Sequence, residues 1–288
     1  MPSLKEYNVK IASLKNTAKV TKTMNMVSSA KLRKAQEAQN NSRLYADQLK
    51  GVIGRLASAA GSDTHPLMQV AAEAKKALVV VFASDKGLCA GFNNNLVKFV
   101  KRWLADAGQA FETVDFITTS KRATNGVKDL GNIIKKLEDV AGTPTFAIAK
   151  EIGDLAQEKF VGGDYDEVYL IYNVFVSTLS QKPTAEKILP MTAAEAEDGS
   201  AQEADYIYEP SRTELLSYLL PKTVNFAFFS AFLESAAGEH AARMAAMDSA
   251  TTNANNLIDT NTTLRNRARQ AQITTELTEI VAGAESLN

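Results

Sequence analysis

From residue 3 to residue 50 the chain contains neither proline nor glycine, and after Pro2 the next proline is Pro66. Ser3 followed by Glu6 has the form of a capping box, which sets a helix start near Leu4. Apolar or small residues then recur in steps of three and four at Tyr7, Ile11, Leu14, Ala18 and Thr21, and again at Leu32 and Ala35. This is coiled-coil spacing with a thin, partly polar seam. A helix running from about residue 4 to about residue 58 is roughly 80 Å long at its usual rise. No compact domain built from this chain hides such a helix alone, so it needs a partner.

The C-terminal segment mirrors the first. Ser211 and Glu214 form a second capping box directly after Pro210, and Pro221 predicts a kink or a restart. No proline occurs from Lys222 to Asn288, and glycine occurs there only at Gly238 and Gly283. The first part is oily, with Phe226, Phe228, Phe229, Phe232 and Leu233; beyond Met247 the sequence turns to Ser, Thr, Asn and Ala. A helix this polar is no ordinary core helix. The N-terminal helix is its natural partner, in antiparallel pairing.

Between these ends the pattern changes. Ala77–Ser84 is a short, β-branched apolar run of the kind found in buried parallel strands. Further strands are expected near 114–118, 133–137 and 168–176, with helices near 95–107, 120–130 and 145–160. Strands alternating with helices predict a parallel, Rossmann-like α/β domain. Residues 192–205 are acidic and alanine-rich, which reads as a surface loop. The expected division is an N-terminal long helix over 1–60, an α/β domain over 75–208 and a C-terminal long helix over 209–288. The fold class is thus α/β with a long antiparallel two-helix coiled coil.

Composition excludes several classes. With 45% apolar and 23% charged residues the chain is globular rather than disordered. The longest unbroken apolar stretch, Ala77–Ala83, is too short to span a bilayer. No secretory or transit pattern is visible at the start. The single cysteine, Cys89, forms no internal disulfide, as expected of a reducing compartment. Charge is segregated: from residue 1 to 34, Lys5, Lys10, Lys15, Lys19, Lys22, Lys31, Arg33 and Lys34 face Glu6 alone. Such a helix seeks a negative surface, whether nucleic acid, anionic lipid or acidic protein.

Candidate chemistry is thin. The turn from Asp85 to Asn93 follows a strand and opens a helix, where phosphate loops sit, but Gly87 and Gly91 give only G-x-x-x-G. Gly126 and Gly131 have phosphate-loop spacing, yet Asn132 stands where that motif requires lysine. Tight turns are the favoured reading of both. His65 and His240 lack metal-ligand spacing, so no metal is assigned. No nucleophile elbow is present, and carboxylates such as Glu195, Glu197 and Asp198 read as solvated. Arg265, Arg267 and Arg269 fan over different faces of their helix, which suits a surrounding partner.

Three blocks carry a family resemblance: Ile11–Val27 continuing to Ala30–Lys34, Ser84–Asn93, and His240–Met247 followed by Asn266–Ala284. On these the chain resembles the gamma subunit of F-type ATP synthases, nearly end to end. The resemblance implies a rotor shaft within a ring of alternating alpha and beta subunits, which couples proton-driven rotation of a membrane ring to ATP synthesis or hydrolysis. The catalytic sites then belong to the beta subunits, with no catalytic residue, cofactor or metal in this chain. By position, Met24, Arg33, Lys34, Arg269, Gln270, Thr274 and Glu276 match residues facing the alpha/beta head. Tyr206 and Glu209 match the foot that meets the epsilon subunit and the membrane c-ring. No nucleic acid and no direct membrane insertion are implied. The expected place is the cytoplasmic face of a bacterial inner membrane, as a peripheral protein. Ala90 departs from a glycine common in the second block, and a single cysteine excludes the chloroplast-type dithiol switch. Two other readings compete: a nucleotide-binding α/β enzyme with helical appendages, and a coiled-coil protein binding nucleic acid through residues 5–34. Basic residues without interleaved aromatics weigh against the second.

Overall fold

The computed structural model describes residues 3–60, 65–191, 209 and 211–285; of helical residues 43, 47, 50, 54–60 and 285 it describes the backbone alone. The loop expected over 192–205 lies outside the described residues. The chain divides into two compact units, Met1–Ser28 with Arg243–Asn288, and Ser29–Ala242.

Two helices contribute to both units: α1 (Leu4–Ala60) and α5 (Arg212–Glu285). Both start as the capping boxes predict. The Glu6 amide donates to Ser3 Oγ at 3.3 Å, and the Glu214 amide to Ser211 Oγ at 3.2 Å. The helix does not restart at Pro221: α5 runs through it as one element. Its missing N–H costs one turn of hydrogen bonding. Packing compensates: the flanking Leu216, Leu220 and Val224 are all buried.

In the first unit the helices pair antiparallel, since Thr21 meets Thr251 while Asn25 reaches back to Met244. Buried and half-buried positions on α1 recur at 7, 11, 14, 18, 21, 25 and 28, and on α5 at 247, 251, 254, 258, 261, 265 and 268. Both series keep three-four steps, as in a coiled coil.

The second unit holds a five-stranded sheet in the order β3-β2-β1-β4-β5. Its strands are β1 (Lys76–Val81), β2 (Thr113–Thr118), β3 (Ile133–Lys136), β4 (Glu167–Phe175) and β5 (Gln181–Leu189). The connecting helices are α2 (Phe92–Ala105), α3 (Lys121–Val127) and α4 (Phe146–Val161). The first four strands are parallel, and β5 pairs antiparallel with β4. Lys182, Pro183 and Lys187 along this edge strand discourage pairing with a further strand. Phe82, Leu78 and Leu170 on one side of the sheet pack with Phe228, Phe232, Leu216 and Leu220 of α5 and with Leu49 and Ile53 of α1. On the other side Val79, Val81 and Phe116 pack with Leu96, Val100 and Trp103 of α2. Each such side chain contributes about 1.5–3 kcal/mol on burial.

Among the described residues one helix, α5, is long and apolar enough to cross a membrane; 44% of its most apolar window is buried within the protein. Phe228 and Phe232 of that helix fill the core beneath the sheet, with Phe229 packed against it.

Candidate partner-contact surface

The carboxyl ends of β1 and β4 form the crevice at which doubly wound sheets bind dinucleotides, because strand order reverses there. In this chain α5 lies across it. Ser235 Oγ donates to the Phe82 carbonyl at 3.4 Å, and Ala242 packs with Cys89 and Phe92. Gly238 makes the close approach possible: a Cβ there would stand 3.3 Å from the Phe92 ring and 3.7 Å from the Asn173 carbonyl. The loop after β1 is held by its own contacts. The Ser84 amide donates to Asn93 Oδ1 at 3.0 Å, and Leu88 and Ala90 take left-handed φ of 62° and 49°. The Asp85 carboxylate caps the opposite loop, with Oδ2 accepting from the Ala141 amide at 2.8 Å and the Gly142 amide at 3.3 Å. Tight-turn geometry and a helix-filled crevice explain the weak phosphate-loop spacing at Gly87 and Gly91.

A cavity of about 330 Å³ lies between α1, α5 and the β4–β5 edge, with Gln39, Leu49, Tyr172, Glu186, Phe226 and Glu234 in its wall. Tyr172 donates to Glu186 Oε2 at 3.2 Å; burial, with Glu186 and Glu234 nearby, pushes its phenol well above the usual range. A proton locked this firmly does no acid–base work near neutral pH. Among the described residues no group of three or more His, Cys, Asp or Glu is placed to hold a metal.

The surfaces singled out from the sequence are of another kind. Met24 is half-buried in the helix pair, between the Thr21 and Asn25 contacts. Arg269, Gln270, Thr274 and Glu276 are exposed on α5, where Thr274 Oγ1 donates to the Gln270 carbonyl at 2.9 Å and Gln272 Nε2 to Glu276 at 2.9 Å. The four come together within two turns, while Met24 lies apart, next to Asn25 and its Met244 contact. Arg33 and Lys34 are exposed on α1 in the other unit. Glu209 is exposed, and Tyr206 lies outside the described residues.

From residue 269 to residue 284 every described side chain of α5 is exposed. Apolar residues are sparse in this stretch, but they are not scattered. Ile273, Leu277 and Ile280 are 53%, 60% and 72% exposed and follow one another in steps of four and three, forming an apolar stripe on a helix face. Its signal was the i, i+4, i+7 spacing, hidden among the threonines and glutamates around it.

Comparison with known proteins decides what such a chain is. A family model described as ATP synthase matches residues 3–287. The ATP synthase gamma chain of Pelotomaculum thermopropionicum is 44% identical, with all of both chains covered. The chain belongs to the ATP synthase gamma-chain family. The gamma chain of Paracoccus denitrificans is also similar, 42% identical with both chains fully covered. A chain from the cryo-EM structure of the Euglena gracilis mitochondrial ATP synthase (OSCP/F1/c-ring, rotational state 3) shares the fold. Its TM-score is 0.70 at 19% identity, over 99% of this chain and 94% of that one. Family membership makes this gamma chain a non-catalytic, central-stalk subunit of a membrane-associated ATP synthase, in keeping with its helix pair and helix-capped sheet.

Proposed function

We propose that this gamma chain is the rotor shaft of its ATP synthase, transmitting rotation of a proton-driven c-ring to the alpha/beta head at the cytoplasmic face of a bacterial inner membrane. The observation that carries the reading is end-to-end identity of 44% with a gamma chain, with no segment of either left over. The exposed end of α5 supports it. A helix end with an apolar stripe and flanking Arg269, Gln270, Thr274 and Glu276 has the surface of a segment covered by other subunits. Arg33 and Lys34 are the residues assigned to an acidic lever of the beta subunit, and Tyr206 and Glu209 to the epsilon subunit and c-ring. A shaft of this kind biases each catalytic subunit by presenting a different face at each angle.

Charge reversal tests the assignment: Arg33→Glu with Lys34→Glu, in the assembled enzyme in inverted membrane vesicles. ATP-driven proton pumping should fall well below wild type while the purified chain keeps its melting temperature. Both side chains are exposed, so unfolding by the double variant would contradict a contact role, and unaltered pumping would remove these residues from the interface.

A further inference from the structure

Among the described residues, a hydrogen bond between Thr21 and Thr251 and another from Asn25 to Met244 cross the helix pair of the first unit close together. Thr21 Oγ1 and Thr251 Oγ1 are 2.7 Å apart, and the Thr251 hydroxyl is also 2.7 Å from the Met247 carbonyl. The Thr21 hydroxyl is likewise 3.1 Å from the Ala18 carbonyl, so each hydroxyl has a backbone acceptor on its own helix and either can donate to the other across the pair. Asn25 Nδ2 donates to the Met244 carbonyl at 2.9 Å.

The rest of the seam agrees with this stagger. Stepping along both helices from the Thr21–Thr251 pair sets Ala18 opposite Ala254 and Leu14 opposite Ile258, like with like, and beyond them Ile11 opposite Asn261 and Tyr7 opposite Arg265. A slip of one heptad sets Thr21 against Met244 or Ile258, and Leu14 against Thr251 or Arg265. The same stagger puts Leu4, where α1 begins, opposite Ala268. The unbroken exposure of α5 starts at the next residue, Arg269, where α1 has run out. Within the first unit, a load applied to that unaccompanied end passes to α1 across the seam.

We infer that Thr21–Thr251 and Asn25–Met244 form a torsional clamp: polar contacts that fix the stagger of the two helices and pass load from the free end of α5 into α1. The geometric part stands on the helix pair itself; the load-bearing part rests on the rotor reading above. Polar contacts in a seam are the established way for paired helices to specify register at little gain in stability.

The test replaces the clamp by apolar groups of similar size, Thr21→Val, Thr251→Val and Asn25→Leu together. Removing both hydroxyls of the threonine pair in this way is nearly neutral for stability, and the Met244 carbonyl that loses Asn25 lies within α5. Spin labels at exposed positions between the clamp and the free end, Ser13→Cys and Asp259→Cys, report the stagger in the full chain, because Cys89 is buried. In the clamped chain one narrow distance is expected. The triple variant should keep the melting temperature and gain a second, displaced distance, and its assembled enzyme should deliver less torque in single-molecule rotation. Thr21→Ser with Thr251→Ser, which retains both hydroxyls, should restore the single distance. An unchanged distance in the triple variant, a fall in melting temperature that accounts for the effect, or failure of the serine pair to rescue would each overturn the clamp. Should the wild-type enzyme deliver no torque, the rotor reading fails, and the distances in the chain alone still decide the clamp.

Discussion

In the sheet unit Phe82 and Phe232 stack with ring centroids 4.8 Å apart, and Leu78, Leu170 and Phe228 are wholly buried around them. In the helix pair the best-buried positions include Ile11 and Ala254, and beside them Thr21 and Asn261, which are polar. Both units are long-range assemblies of the same two helices, yet they use different physics. Where three or more elements meet, large side chains are enclosed on all sides and hydrophobic burial supplies the stability. Where two helices meet alone, each seam residue keeps one flank in water, burial is worth less, and polar contacts set register. The sheet unit is built to be stable, and the helix pair to be specific.

The largest test of that contrast is a pair of truncations. Phe232→Ala opens a cavity in the sheet unit and should cost about 3–5 kcal/mol in urea unfolding followed by circular dichroism. Ile11→Ala removes the most apolar knob of the helix pair's outer seam, where solvent reaches the gap, and should cost about 2 kcal/mol or less. Equal losses at the two sites would break the distinction between stable and specific units.

A glycine pair gives a smaller effect of opposite sign. A Cβ on Gly153 in α4 would stand 2.1 Å from Asn225 Oδ1, the atom that accepts from Gln157 Nε2 at 2.8 Å, while Asn225 Nδ2 donates to Asp154 at 2.8 Å. Gly153→Ala should therefore cost about 1–3 kcal/mol by overpacking and by breaking this buried network. Around Gly283, near the end of α5, nothing lies within 4 Å of a Cβ. Gly283→Ala should be neutral or stabilising by up to about 1 kcal/mol, through helix propensity alone. Thermal melts of the two variants should move in opposite directions.

Much of this architecture was legible from local rules. The capping residues Ser3 and Ser211, the absence of helix breakers and the β-branched run before Ser84 each report a local preference, and each element formed where it was expected. What was missed depends on tertiary context. β5 is rich in Lys, Glu and Thr because it is an edge strand, so its composition resembles a loop. Pro221 sits inside a helix because its neighbours are buried against the sheet, a compensation that no local rule contains. The family blocks that contain Arg33, Lys34 and Arg269 were legible, and so was the C-terminal helix, but not that its end from residue 269 stands exposed. The Thr21–Thr251 and Asn25–Met244 contacts were not, because cross-helix stagger is a property of two segments far apart in sequence.

The smallest expected effect concerns Asp85, a polar contact that lies within the stable unit and so sharpens the comparison from the other side. Its Oδ2 accepts two backbone amides, but its Oδ1 is buried with no hydrogen-bond partner. Burial pushes the carboxyl above its ordinary value of 3.8; the Ala141 and Gly142 amides pull it back, and Asp139 pushes it up again. A carboxyl raised in the folded state binds its proton more tightly there than in the unfolded chain. Its contribution to stability therefore grows as pH falls from neutral into the range just above the ordinary value, and shrinks as pH rises. Asp85→Asn keeps an acceptor for the two amides and removes the titration. Across melts from pH 7 down to about 4, the wild-type chain should gain on the variant as the medium becomes more acid. A wild-type advantage that grows toward alkaline pH would mean that the two amide bonds outweigh burial at this site. Asp85 would then act as a helix-pair residue does, through its polar contacts rather than in spite of its burial.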